Sequence, residues 1–378
     1  MLDALGRPER HYPAIHVGGT NGKGSTCAFL VAELRARGLR VGLYTSPHLV
    51  SPTERITVND VPISEAAFAE WTTLLKPHIE RTGASFFEGT TAIAFADFAA
   101  RGVDIAVVEV GLGGRLDATN VITPLVSVVT KIALEHTDYL GTDLKGIARE
   151  KAGIAKRGVA FVTGEPEPLL RAEIMREAER RGADPLIAVD STRPLPPDTV
   201  LGLRGVHQVA NAWVACAALK QLPKGSGLPE GPPIGEEIPA SFADAYIAAR
   251  FDVRGKWIFD VAHNPDGMRV LVDALVGHAP PRPLHALVGI RNDKDWRPML
   301  ERLAPVVDRL VLTVPPSIPV LQRWSVSDVA AGPVAQIEPD FDTALRVVQD
   351  GAATVLVTGS FHTVGDALSR LPGFAPVG

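Results

Sequence analysis

The stretch HVGGTNGKGSTC, residues 16–27, sets glycines around one lysine directly after an apolar run, where a helix is due to begin. Successive backbone N–H groups in such a turn, added to the positive end of the helix, form a ready site for phosphate oxygens. Lys23 would place its ammonium on the outer phosphates. The fit to the common nucleotide loop G-x-x-x-x-G-K-[ST] is imperfect, because Val17 stands where the first glycine is required and Gly24 where the hydroxyl is required. The hydroxyls, Ser25 and Thr26, come late. In isolation the stretch reads as well as a flexible turn with an exposed lysine; its place after the first strand favours anion binding. A second signal is Glu109, which closes the apolar run DIAVVEV ahead of GLGGRLDATN. A carboxylate there is costly to bury without a counter-charge, and ligands of open α/β sheets gather at the carboxyl ends of strands. A magnesium ion on a nucleotide would meet both conditions, since it takes a few carboxylate or hydroxyl ligands plus phosphate oxygens. The alternative is a structural salt bridge from Glu109 to Arg115 or Lys131. GLGGRL fails the dinucleotide pattern G-x-G-x-x-G at its last glycine, and that reading is discarded.

These residues need a scaffold, and the pattern of the chain supplies one. Short β-rich runs alternate with longer segments of helical period, as in parallel α/β architecture. PAIHVG, RVGLYT, DIAVVEV and PLVSVVT read as strands of one sheet, apolar in succession because helices cover both faces. Helices are expected at about 25–37, 64–81, 90–100, 144–156, 169–181 and 207–222. Residues 223–237, rich in proline and glycine, read as a loop. The alternation then restarts with KWIFDVA, a helix from Asp266, PLHALVG, RLVLTV and ATVLVTG followed by a last helix. The expected organisation is a first domain over 1–247, a linker over 248–255 and a second, smaller α/β domain over 256–378.

Composition narrows the function. A chain of 378 residues with 46% apolar and 21% charged residues is an ordinary globular balance, with ample material for a core. The net charge of −5 shows no basic excess, which argues against a nucleic-acid partner and leaves small anionic substrates open. Cys27 and Cys216 are far apart and lack metal-ligand spacing, which fits a reducing cytoplasm. The amino terminus has no apolar signal core and no run approaches a membrane span, so a cytoplasmic protein, taken to be a monomer, is expected.

HVGGTNGKGSTC, YTSPHL, ERITVN, EVGLGGRLDATN, HTDYLG, EKAGI, LRGVHQVAN, DVAHNPDG and VTGSFHTVGDA, in this order, resemble the folylpolyglutamate synthase and dihydrofolate synthase family of Mur-type ATP-dependent amide ligases. The resemblance implies a P-loop-type parallel-sheet domain followed by a Rossmann-like glutamate ligase domain. It also implies that Gly19, Thr20, Asn21, Gly22, Lys23, Gly24 and Ser25 cradle the phosphates of ATP. Ser46 and Glu109 would ligate one magnesium and His136 a second. Lys151 matches a lysine that the family carries as a carbamate. Asn211 would meet the adenine, Arg250 the phosphates at the domain junction, and Asp260 and His263 the nucleotide from the second domain. Lys23, Lys151, His136 and Arg250 would be the catalytic set. The reaction implied joins L-glutamate to the carboxylate of dihydropteroate or tetrahydrofolate through an acyl phosphate.

Some positions depart from the family pattern. AARFD puts Ala249, Arg250 and Asp252 where glycine-arginine and glutamate are usual, and Glu135 stands where aspartate is common. The first strand comes so early that the pterin side of the pocket is expected to be incomplete and dihydrofolate synthase activity weak. Two rival readings remain at this point. A Mur ligase for a UDP-linked precursor would carry a further domain ahead of the ATP-binding one, and a non-catalytic ATP-binding protein would show no glutamate-dependent turnover.

Overall fold

A computed structural model describes residues 1–134, 137–223, 228, 237–324 and 336–373, with only the backbone of Thr137 and Asp138. The first sheet holds β1 (Ala14–Gly18), β2 (Val41–Tyr44), β3 (Ile56–Val58), β4 (Val61–Pro62), β5 (Ile105–Glu109), β6 (Val126–Val129), β7 (Ala160–Thr163) and β8 (Leu186–Ala188). Their spatial order is 4-3-2-5-1-6-7-8. All neighbours pair in parallel except β3, which runs antiparallel to both β2 and β4. The helices of this half are α1 (Lys23–Ala36), α2 (Glu65–Thr82), α3 (Phe86–Ala100), α4 (Thr137–Leu140), α5 (Leu144–Ala152), α6 (Pro168–Arg180) and α7 (His207–Lys220).

The four strands expected from their apolar runs do share this sheet, and β1 and β5 are buried throughout. Their side chains alternate between two cores: Ile105 and Val107 pack towards α1 and α7, whereas Ala106 and Val108 pack towards α3. That is why the runs are continuously apolar rather than alternating. From β1 the chain moves outward to β2, returns to β5, and only then crosses to β6. The succession thus reverses around β1, and the crevice outside its carboxyl end is where sheets of this kind bind ligands.

The second sheet holds β9 (Asp252–Arg254), β10 (Trp257–Phe259), β11 (Leu284–Val288), β12 (Arg309–Leu312), β13 (Gln336–Ile337) and β14 (Thr354–Thr358), in the order 13-12-11-14-10-9. Its helices are α8 (Pro265–His278), α9 (Trp296–Leu303), α10 (Phe341–Gln349) and α11 (Phe361–Leu368). One face packs on α8 and α9, the other on α10 and α11. The stretch expected as a linker, residues 248–255, includes β9, which pairs antiparallel with β10.

Local chemistry explains where element ends shift. α3 starts at Phe86 because Ser85 and Glu88 form a reciprocal capping box. α5 ends at Ala152, capped by Gly153, whose N–H turns back to the last carbonyls and where a side chain would overlap Arg115. The expected loop 223–237 lies almost wholly outside the described residues. Among the described residues no helix is long and apolar enough to cross a membrane.

Candidate functional site

The glycine-rich loop leaves β1 in a shape that only glycine tolerates at two points. Gly19 has φ +132° with its α-carbon against the Thr130 hydroxyl, and Gly22 has φ +94° against Asn211 Oδ1. Such backbone is closed to side chains, and at both positions a Cβ would overlap the neighbour. Lys23 opens α1; its Nζ donates to the carbonyl of Thr20 at 3.0 Å and lies 4.0 Å from Glu109 Oε1. Asn211, on α7, donates to Gln208 Oε1 at 2.9 Å and so has its amide set against Gly22.

Glu109 ends β5, beside β1, and is 4% exposed. The cations named as its alternative partners sit in other pairs: Arg115 with Glu150 at 2.9 Å and Lys131 with Asp266 at 2.6 Å. The turn after Glu109 is held by Asp117, whose carboxylate accepts from the backbone of Gly111 at 3.1 Å, Leu112 at 2.8 Å and Thr119 at 2.9 Å. Burial pushes this carboxyl up, against the pull of those donors. Ser46 follows β2, the other neighbour of β5, in a loop fixed by Glu54, which accepts from the N–H groups of Leu49, Val50 and Ser51. A buried carboxylate and a hydroxyl at adjacent strand ends, next to a lysine and a phosphate-shaped loop, are hard oxygen donors of the kind that magnesium takes. Among the described residues no three His, Cys, Asp or Glu side chains converge. His136 lies outside the described residues.

The second domain contributes Arg250 from an unusual turn. Ala249 has φ +60° and Phe251 φ +48°, so two non-glycine residues in the left-handed region bracket the arginine. Asp252 accepts from the Ala249 N–H at 3.3 Å, and Asp260 from those of Phe251 and Ala262, both at 2.9 Å. Burial raises the Asp260 carboxyl, with Arg250 opposing it. The Arg250 guanidinium lies over the Phe361 ring, 5.3 Å from its centre, and the His263 ring centre is 5.8 Å from the same phenyl. His263 Nδ1 is 2.9 Å from the Val261 carbonyl, which orients the ring.

Two of the contacts between the domains, among the described residues, bear on the cavity between them. α11 rests on the loop after β2, where a Cβ on Gly365 would overlap the Leu49 carbonyl. At the other, Asp266 in the first turn of α8 accepts from Lys131 Nζ at 2.6 Å and from Asn21 Nδ2 at 2.8 Å. Burial alone would raise this carboxyl, but the Lys131, Asn21 and Arg269 donors bring it below the usual carboxylate range. Between the domains lies one cavity of about 1300 Å³. Thr20, Asn21, Gly22, Lys23, Gly24, Ser25, Ser46, Glu109, Asn211, Arg250, Asp260 and His263 all line it. Gly19, the first residue of the loop, and Lys151 do not line the cavity; Lys151, 3% exposed, donates Nζ to the Gly19 carbonyl at 2.9 Å. Phe361, Asp117 and the Asp266 contacts were not foreseen as site features, although Phe361 falls within VTGSFHTVGDA and Asp117 within GLGGRLDATN.

Residues 249–361 match the family described as Mur ligase, glutamate ligase domain. The chain is 33% identical to the dihydrofolate synthase/folylpolyglutamate synthase of Mycobacterium tuberculosis, over 97% of this chain and 88% of that protein. Among solved structures it is similar to Mycobacterium tuberculosis folylpolyglutamate synthase complexed with ADP, with a TM-score of 0.85 and 33% identity over 99% of this chain and 93% of that one. It is also similar to a bifunctional folylpolyglutamate synthase/dihydrofolate synthase with Mn, AMPPNP and L-glutamate bound, with a TM-score of 0.83 and 34% identity over 97% and 91% of the two chains. With about a third of positions identical across nearly the full length of each partner, the chain belongs to the folylpolyglutamate synthase/dihydrofolate synthase family of Mur-type ATP-dependent ligases.

Proposed function

We propose that the protein joins L-glutamate to the carboxylate of a pterin or folate substrate, dihydropteroate or tetrahydrofolate, with ATP converted to ADP and phosphate. The observation that carries this reading is the single cavity in which the phosphate loop, Glu109 and Ser46 of one domain face Arg250 and His263 of the other. A carboxylate is a poor acylating agent because oxide is not a viable leaving group. Transfer of the terminal phosphoryl group of ATP to it creates an acyl phosphate, and the amine of glutamate then displaces phosphate to form the amide.

In this reading the backbone N–H groups at the start of α1 and the Lys23 ammonium hold the transferring phosphoryl group, where preorganised positive charge lowers the barrier most, while the Thr20 and Asn21 N–H groups are given to the Lys131 carbonyl and fix the shape of the loop. Ser46 and Glu109 would hold one magnesium ion and His136 a second; bound there, the ions neutralise the charge developing on the phosphoryl oxygens. Asn211 places the adenine end, and Arg250, Asp260 and His263 close on the nucleotide from the second domain. Enclosure between domains keeps water from the acyl phosphate. Lys151 would act as its carbamate: carbamylation leaves one N–H on Nζ, so the bond to the Gly19 carbonyl survives while an anionic group is added. For the flat pteridine, the cavity offers Phe87, Leu116 and Tyr139 as apolar walls. We place the ATP-binding domain at 1–247 and the glutamate ligase domain at 256–378, with 248–255 as a hinge whose β9 already pairs into the second sheet, in a monomer of the cytoplasm.

Substrate labelled with oxygen-18 in its carboxylate passes one label to inorganic phosphate under this mechanism. Label recovered in AMP, or phosphate release that ignores glutamate, overturns it.

A further inference from the structure

Asp266 belongs to the second domain by sequence and by fold, yet both of its oxygens serve the first. Oδ1 accepts from Lys131 Nζ at 2.6 Å and Oδ2 from Asn21 Nδ2 at 2.8 Å. Asn264, the N-cap of α8, donates Nδ2 to Asn21 Oδ1 at 3.4 Å, so the Asn21 amide is gripped at both ends from across the cavity. Arg269, one turn along α8, donates to Asp266 Oδ1 at 3.2 Å. The receiving end is the phosphate loop itself. The Lys131 carbonyl accepts from the backbone of Thr20 at 2.8 Å and Asn21 at 3.4 Å, and Thr130 Oγ1 donates to the Asn21 carbonyl at 2.8 Å. Lys131 therefore touches the loop with its backbone and the other domain with its side chain.

We infer that Asp266 is a positioning residue, an interdomain latch that orients the phosphate loop through Asn21 and Lys131 when the second domain is docked. Three features support it. The pair is partly withdrawn from water, with side chains 35% and 20% exposed, where a charge-assisted bond is stronger than on an open surface. A carboxylate in the first turn of a helix is favoured by the helix dipole. And because donor and acceptor lie in separate domains, their attraction acts on docking rather than on the folding of either half. The contacts stand on the geometry alone; their effect on catalysis rests on reading residues 19–25 as the site of the ATP phosphates.

The test uses the full chain with Asp266→Ala, the isosteric Asp266→Asn, Lys131→Met and the Asp266→Ala/Lys131→Met pair. Small-angle scattering of the nucleotide-free protein should show a wider spread of domain separations in each variant, with the unfolding transition of the domains little changed. Turnover at saturating glutamate and folate should fall about tenfold in kcat/KM for ATP, and the double variant should be no worse than the worse single, as expected for groups acting as a unit. Exchanging the charges, Lys131→Asp with Asp266→Lys, should recover part of the loss. Additive effects, no recovery on exchange, or unchanged scattering in Asp266→Asn overturn the latch. Failure of the wild-type protein to bind a fluorescent adenine nucleotide would instead sink the phosphate-loop reading, while scattering still judges the docking contact.

Discussion

Lys151 reaches the glycine-rich loop, its Nζ donating to the Gly19 carbonyl 2.9 Å away, so that loop and helix α5 are joined through one side chain. If Lys151 carries a carbamate, Lys151→Ala removes both this support and an anionic group beside the proposed metal site. Turnover should fall about 10- to 100-fold, the range for groups that orient metal ligands, with partial rescue by short-chain carboxylates. Carbon-13 bicarbonate should give a carbamate resonance in the wild-type protein and none in the variant. A wild-type rate for Lys151→Ala would end the proposal.

Gly22→Ala combines two penalties. The left-handed backbone costs an ordinary residue roughly 1–2 kcal/mol, and the new methyl group would overlap Asn211 Oδ1. The expected result is an ATP dissociation constant raised about tenfold or more, with the helix content of the protein retained. Calorimetric titration of both proteins decides it.

Lys23→Ala should lower kcat by about 100- to 1000-fold, as for loss of one donor that stabilises transition-state charge. Glu109→Gln keeps the shape of the side chain but not its charge. Its metal titration should shift to higher magnesium while the thermal transition stays close to that of wild type. An unchanged titration and rate would mean that Glu109 serves a structural contact and holds no metal.

His16, buried within β1, gives the protein an acid-sensitive point. Nε2 is 2.8 Å from Thr119 Oγ1, and Nδ1 has no partner among the described residues. Burial, aided by the nearby Lys156 charge, pushes the imidazole down to about 3. Between the ordinary value near 6.5 and about 3 the unfolded chain binds a proton that the folded chain refuses. This contribution is complete above pH 6.5 and lost on acidification at about 1.4 kcal/mol per pH unit. Urea unfolding at pH 7, 6 and 5 should show that slope in wild type and a shallower one in His16→Asn. Parallel slopes would assign the acid sensitivity to other groups.

What the sequence disclosed follows the physics of each element. β1, β2, β5 and β6 were legible because central parallel strands are covered on both faces and carry unbroken apolar runs. β3, β4 and β9, of three, two and three residues, are too short to leave such a run, and their antiparallel pairing has no mark in composition. The loop at Lys23 and the carboxylate at Glu109 were visible because each breaks its surroundings, a lysine among glycines and a charge at the end of an apolar strand. The bond between Lys131 and Asp266 was not. It spans 135 positions and joins two residues that each look like ordinary surface charge.

The turn around Arg250 has a further meaning for ligand capture. Ala249 and Phe251 are held in a conformation that costs each of them roughly 1–2 kcal/mol, and the Asp252 and Asp260 carboxylates retain them there through their N–H groups. The expense of fixing the Arg250 backbone therefore falls on folding, before any anion arrives. On the proposed role of Arg250, an incoming phosphate would meet a guanidinium already set over the face of Phe361, and little of its binding energy would be diverted into ordering the chain that receives it.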